Sequence, residues 1–338
     1  MYRQFGNPGI LQPHILQEIS RGYTERKMSD EWKPPPKIEG LFERALRGNA
    51  FSGINRPTAG PRTSKALPRG EATFQLYSLA TPNGWKVGIL LEEMGIDYDA
   101  HIVNIGIGQQ FTSGFVSVNP NSKIPAAIDY AGPGGKPIAL MESAATMTYL
   151  CDRHKRFDFF PSNPRLRSEI LQWLFWQIGN QGPMTGNFGH FFVYAPSNKM
   201  EARDYGVARY GMEVKRLCDV LERHLAGYGD FSGTRCEKTC THRDWLVGNQ
   251  YTIADMAIFP WAYMLRKRGY DRPGQPRAQD FLSFHEYKHL NRWIDRIASR
   301  DAVQRGIRVC SRSPKPWLDK KKKRRSSGGN KSEMKSKL

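Results

Sequence analysis

Long apolar runs are missing from this chain. Nothing approaches the roughly 18 consecutive apolar residues that a membrane-crossing helix needs, so no such helix is expected. The N-terminus has no short apolar segment behind a basic start, which argues against a secretory leader. Cysteine is scarce. Cys151, Cys218, Cys236, Cys240 and Cys310 are odd in number and scattered, which fits a reducing compartment better than a disulfide framework. No internal repeat occurs. Acidic residues are in deficit: 32 Asp and Glu against 51 Lys and Arg leave a net charge of +19. Residues 319–338 carry +7 of it and residues 1–72 carry +5, so the long stretch between holds only +7. A solvated surface with a basic tail accounts for that distribution better than a nucleic-acid partner does. The 338 residues leave room for two domains and a sizeable core.

The pattern along the chain divides accordingly. Residues 1–71 read as an N-terminal arm, because Pro34-Pro35-Pro36, Gly53, Pro57, Gly60, Pro61 and Pro68 break any period. A short amphipathic helix fits residues 38–47, with Leu41, Ala45 and Leu46 on one face. From Phe74 the order becomes regular. Residues 74–79 form a compact strand ended by Thr81-Pro82-Asn83-Gly84. A helix follows, with Val87, Leu90, Leu91 and Met94 on one face and Gly95 as its stop. Strands are expected over 98–105, 123–130 and 137–140, with an irregular segment after the first of these, and a helix from Ser143 to about His154. This β-α-β, β-β-α order over residues 72–155 is a thioredoxin-like pattern. Residues 156–165 are the candidate linker. Residues 166–312 are an all-α bundle, with helices expected over 166–179, 201–225, 253–268 and 284–300. Thr252-Ile253-Ala254-Asp255 has the form of a capping box. Residues 232–244 look like an inserted loop, and residues 313–338 form a basic tail for which disorder is expected.

Three constellations carry chemistry. Ile124-Pro125 stands between a loop and a strand; backbone exposed there can pair with an extended peptide, although a strand-edge proline alone needs no such role. Ser143 opens a helix, where it can act as a cap; the same helix start attracts a carboxylate, and Glu142 beside it can accept from an ammonium. Together they suit the α-amino-acid end of a ligand. Thr81-Pro82-Asn83-Gly84 starts the first helix, where hydroxyl, amide and free N–H groups stabilise a thiolate. No cysteine lies between Phe74 and Gly84, so the sulfur must come from the ligand.

On these residues the chain resembles the Nu-class glutathione transferases, the type with glutathione-dependent disulfide-bond reductase activity. The resemblance rests on Leu76-Tyr77-Ser78-Leu79-Ala80-Thr81-Pro82-Asn83-Gly84, on Val118-Asn119-Pro120-Asn121-Ser122-Lys123-Ile124-Pro125, and on Tyr251-Thr252-Ile253-Ala254-Asp255-Met256. Trp173-Leu174-Phe175-Trp176, Phe188-Gly189-His190-Phe191 and Ile54-Asn55-Arg56-Pro57 extend it. It implies a glutathione transferase fold and a homodimer. It implies that Thr81 and Asn83 contact the glutathione sulfur, that Ile124 pairs with the cysteinyl unit before a cis Pro125, and that Lys123 lies near the glycyl carboxylate. Glu142 and Ser143 would bind the γ-glutamyl end, and Gln110 would add a contact. A second glutathione would touch Asn55 and Arg209. The implied reaction is thiol–disulfide exchange. A non-catalytic regulator on the same fold is the alternative, and the intact Thr81-Pro82-Asn83 argues against it.

Two further motifs were weighed. Cys236, Cys240 and His242 offer three metal ligands without a fourth nearby, so no metal is expected. Ser336-Lys337-Leu338 matches the address read by a peroxisomal import receptor, which implies a peroxisome or glycosome, with the cytosol as alternative. The basic run at residues 320–325 also resembles a nuclear signal.

Overall fold

The computed structural model describes residues 35–40, 54, 56–195, 200–227, 242–267 and 269–318. Strand β1 (Phe74–Ser78) is buried along its whole length. Phe74 and Leu76 face the main core, while Tyr77 faces a smaller cluster with Val103, Phe115 and Val118. Thr81 then caps helix α1 (Pro82–Met94), its hydroxyl accepting from the Gly84 N–H at 3.4 Å, and Pro82 takes a first-turn position where its missing N–H is not needed. Gly95 closes the helix at φ 67°, a left-handed conformation that favours glycine. Strand β2 (Asp99–Ile102) runs parallel to β1. Within the stretch read as irregular, helix α2 (Ser113–Val118) forms, capped by Thr112; six residues are too few to show a helical period. Strands β3 (Ala126–Asp129) and β4 (Ile138–Leu140) follow, then helix α3 (Ser143–Arg153). The sheet order is β2-β1-β3-β4, with β3 antiparallel to β1 and β4 antiparallel to β3.

The helical half departs from expectation in two places. Helix α4 (Pro164–Trp176), capped by Asn163, does not stop near Gly179. It passes through a π-turn (Gln177–Gln181) into helix α5 (Gly182–Gly189) and a second π-turn (His190–Tyr194). Gly179, Gly182 and Pro183 read as breakers. The wider π-turn, however, has already interrupted the α hydrogen-bond ladder, and Pro183 falls in the first turn of α5, where its missing N–H costs little. Helix α6 (Met200–Leu225) and helix α7 (Ile253–Arg266) come next, followed by the short α8 (Ala278–Phe281). The single helix expected over 284–300 is a 3-10 turn (Phe284–Glu286) and helix α9 (Lys288–Ala298), broken at Tyr287. The cause is Glu222 on α6. Its carboxylate accepts from the backbone N–H of His289 at 3.1 Å and of Leu290 at 2.8 Å, supplying the cap that α9 lacks locally. Helix α10 (Asp301–Gly306) ends the bundle.

One continuous core joins the sheet and the bundle, running from Phe74 and Leu76 through Ile258 and Phe259 to Trp293. Residues 156–165 are packed, not loose: Phe159 and Phe160 are buried, Arg167 lies over the Phe160 ring, and the Ile253 N–H donates to the Phe159 carbonyl at 3.1 Å. The capping box at Thr252 forms as its sequence predicts. Residues 56–71 run along the sheet, with Thr63 paired to Thr112 and the Tyr77 hydroxyl donating to the Pro68 carbonyl at 2.7 Å. At the other end of the chain, the Ala80 N–H donates to the Cys310 carbonyl at 3.2 Å. Residues 41–47 of the expected amphipathic helix, Asn55, Cys236, Cys240, the basic run at 320–325 and Ser336-Lys337-Leu338 lie outside the described residues.

Candidate active site

Strand register assembles the site. Tyr77 pairs with Ala126, and Ala127 pairs with Leu140. Continuing the ladders by two or three residues brings the end of β1, the Ile124-Pro125 step and Glu142-Ser143 side by side at one end of the sheet. The start of α1 rises from that same end. Thr81 and Asn83, Ile124 and Pro125, and Glu142 and Ser143 are therefore gathered by the fold, although they lie far apart in sequence.

Each piece presents a polar group. Thr81 and Asn83 are half-buried at the N-terminus of α1, where free N–H groups and the helix dipole favour an anion. The Ile124-Pro125 bond is cis. Among the described residues, neither the N–H nor the C=O of Ile124 has a hydrogen-bond partner. The Lys123 side chain is exposed, while its carbonyl accepts from the Asn119 amide at 2.6 Å, which fixes the loop before Ile124. Glu142 is exposed and sits at φ 62°, ψ 115°, a conformation that costs a non-glycine residue about 1–3 kcal/mol. Ser143 does not cap α3; the cap position is Glu142, without a side-chain bond, and the Ser143 hydroxyl instead accepts from Lys86 at 3.3 Å. Gln110 is buried in a 3-10 turn, its amide donating to the Ile105 carbonyl at 3.4 Å and its oxygen without a partner among the described residues. Arg209 is exposed on α6, and no contact among the described residues links it to Thr81, Asn83 or Ser143.

Three residues that sequence reasoning missed complete the arrangement. Trp261 on α7 donates its indole N–H to the Asn83 side-chain oxygen at 3.1 Å, tying the start of α1 to the bundle. Lys86 on α1 is completely buried and donates to Ser143 and to the Gln177 side-chain oxygen. Burial pulls its ammonium down to about 7, against a smaller opposing effect of Glu142. Gln177 opens the first π-turn. One signal was available for Lys86: it is the lone charge in the Pro82–Leu91 stretch, which is apolar or small around it, and a fully buried lysine needs partners. Nothing local marked Gln177 or Trp261. The protein's own thiols are excluded as nucleophiles among the described residues. Burial pushes Cys151, Cys218 and Cys310 each up to about 12, where almost no thiolate exists at neutral pH. No cluster of three or more metal-ligating side chains occurs among the described residues.

Known proteins share this architecture. Residues 80–153 match the family model described as the glutathione S-transferase N-terminal domain, and residues 204–296 match that of the C-terminal domain. The disulfide-bond oxidoreductase YghU of Escherichia coli is 42% identical over 297 residues, covering 86% of this chain and 92% of that protein. Among solved structures, the glutathione transferase YghU of Streptococcus pneumoniae in complex with glutathione is 42% identical, with a TM-score of 0.69 over 82% of this chain and 98% of that one. A Pseudomonas fluorescens family member with two glutathione molecules bound is 38% identical, with a TM-score of 0.60 over 69% of this chain and 92% of that one. The chain belongs to the glutathione transferase family.

Proposed function

We propose that this protein is a glutathione-dependent thiol-disulfide oxidoreductase. The observation that carries the reading is a thiolate-stabilising helix start, Thr81 to Asn83, that has no cysteine of its own and, among the described residues, faces no reactive protein thiol. The Thr81 hydroxyl and the Asn83 amide hold the glutathione sulfur as thiolate; Ile124 pairs with the cysteinyl backbone, in the manner of an added strand. Glu142 and Ser143 take the ammonium and carboxylate of the γ-glutamyl unit, Lys123 lies toward the glycyl carboxylate, and Gln110 supplies a further contact. The similarity to the disulfide-bond oxidoreductase YghU of Escherichia coli and to the glutathione complex of the Streptococcus pneumoniae transferase supports this assignment.

The bound thiolate attacks one sulfur of a substrate disulfide. A glutathione–substrate mixed disulfide forms and the other substrate sulfur leaves as thiolate, which takes up a proton. A second glutathione thiolate attacks the glutathione sulfur of that mixed disulfide. Oxidised glutathione forms and the remaining substrate thiol is released, so two glutathiones are oxidised for each disulfide reduced. Asn55 and Arg209 are assigned to the second glutathione. The relative with two glutathiones bound supports that stoichiometry.

The deciding assay measures purified protein with glutathione and a small disulfide, comparing wild type with Thr81→Ala and Asn83→Ala. Each substitution is expected to lower kcat/KM at least tenfold. Wild type that binds glutathione without turnover would instead make the protein a regulator on an enzyme fold. A homodimer is part of the same proposal, supported by exposed apolar side chains on the bundle, Phe175 on α4 and Tyr205 and Met212 one face apart by two turns on α6. Light scattering behind size exclusion tests it, and a monomeric mass would refute it. Peroxisomal or glycosomal location is proposed from Ser336-Lys337-Leu338 alone. Removing those three residues should leave a tagged protein in the cytosol.

A further inference from the structure

Lys86 presents a problem that packing does not answer. Its ammonium is buried among α1, α3 and the first π-turn, with neutral partners: the Ser143 hydroxyl at 3.3 Å and the Gln177 side-chain oxygen. Among the described residues it forms no ion pair, and Glu142, the charged group acting on it, is itself exposed. A buried cation without a counter-charge is costly, so burial pulls Lys86 toward the neutral amine, and an anion arriving nearby would hold it charged. The location says which anion. Ser143 is the first residue of α3, so its hydroxyl stands beside the free N–H groups of that helix. A hydroxyl has one proton and two lone pairs. Because the Lys86 ammonium occupies a lone pair of Ser143, the hydroxyl proton is left for another acceptor. Gln177 holds the ammonium from the other side, with its own amide nitrogen buried and without a partner among the described residues.

We propose that Lys86, held by Gln177, is a positioning residue that orients the Ser143 hydroxyl and supplies the buried counter-charge for the α-carboxylate of the γ-glutamyl unit. The inference rests on the glutathione reading above and deepens it. It assigns Lys86 to binding of the amino-acid end, and no part of the sulfur chemistry depends on it. The charge sits behind the binding surface, so it acts through Ser143 and through the field at the start of α3 without touching the ligand.

The test compares two ligands by titration calorimetry, glutathione and cysteinylglycine, which lacks the γ-glutamyl unit. In Lys86→Met, glutathione affinity is expected to fall about 10- to 100-fold while cysteinylglycine affinity stays within about twofold. At saturating glutathione, kcat should remain within about threefold of wild type, so that the loss appears in KM. Gln177→Leu leaves the lysine in place and should weaken glutathione several-fold with the same selectivity; it carries the test if Lys86→Met does not fold. Equal losses for both ligands, or no loss for either, would overturn the inference. Wild type that binds neither ligand would overturn the glutathione reading, and the inference with it.

Discussion

Gly84 shows how little slack the sulfur end of the site has. A β-carbon there would stand 2.0 Å from the Leu79 carbonyl oxygen and 2.6 Å from the Ser78 hydroxyl. Backbone cannot yield as a side-chain end does, so Gly84→Ala should displace the Thr81-to-Asn83 turn. The expected result is at least a tenfold loss of glutathione-dependent turnover with a lower melting temperature, read by assay and by thermal denaturation. Asp255 is the corresponding residue of the bundle. Its buried carboxylate accepts from the Leu246 and Thr252 backbone N–H groups, each at 3.0 Å, and from the Trp293 indole at 2.8 Å. Asp255→Ala leaves those donors unpaired and should cost about 3–5 kcal/mol by urea unfolding. Burial nonetheless raises its pKa to about 6, from an ordinary value near 4. The native state therefore holds the extra proton between those values. Its stabilising contribution is complete below about pH 4 and is lost as pH rises through 6. The stability gap between wild type and Asp255→Asn should narrow over that window.

At the scale of elements, the contact between α1 and α10 decides most. The Gly306 α-carbon lies so close to α1 that an added β-carbon would be 2.5 Å from the Ile89 backbone, and one on Gly88 would be 2.7 Å from the Gly306 carbonyl. Two ion pairs flank the crossing, Arg300 with Glu93 and Arg305 with Glu92, each at 2.6 Å. Gly306→Ala should force the helices apart, lower the melting temperature by several degrees, and raise KM for glutathione because α1 carries Thr81, Asn83 and Lys86. Elements whose cues are local were legible in the sequence: Thr81 and Gly95 bracket α1, Thr252 with Asp255 opens α7, and a compact apolar run ended by Thr81-Pro82-Asn83-Gly84 marks β1. Elements whose cues lie elsewhere in the chain were not. The α4–α5 continuation depends on π-turns that mask its glycines and proline, and the start of α9 depends on a carboxylate from α6. The site divides the same way. Thr81, Ile124 and Glu142-Ser143 announce themselves by turn and strand ends, whereas Lys86, Gln177 and Trp261 acquire roles only when the two halves meet.

For the molecule as a whole, the sheet and the bundle share one core, so neither half is expected to stand alone. A fragment covering residues 56–160 should fail to bind glutathione and show exposed apolar surface by dye binding, since it lacks Trp261, Gln177 and the wall they form. The hydrogen bond from Ala80 to Cys310 extends this point from space into time. The turn at Ala80 and Thr81 leaves the ribosome well before the Cys310 carbonyl that pins it. At ~5–20 residues per second, roughly 10–50 s of synthesis separate the two. During that interval the nascent turn lacks this hydrogen bond, so a ribosome-bound chain stalled before Cys310 has emerged should bind glutathione more weakly than one stalled after it.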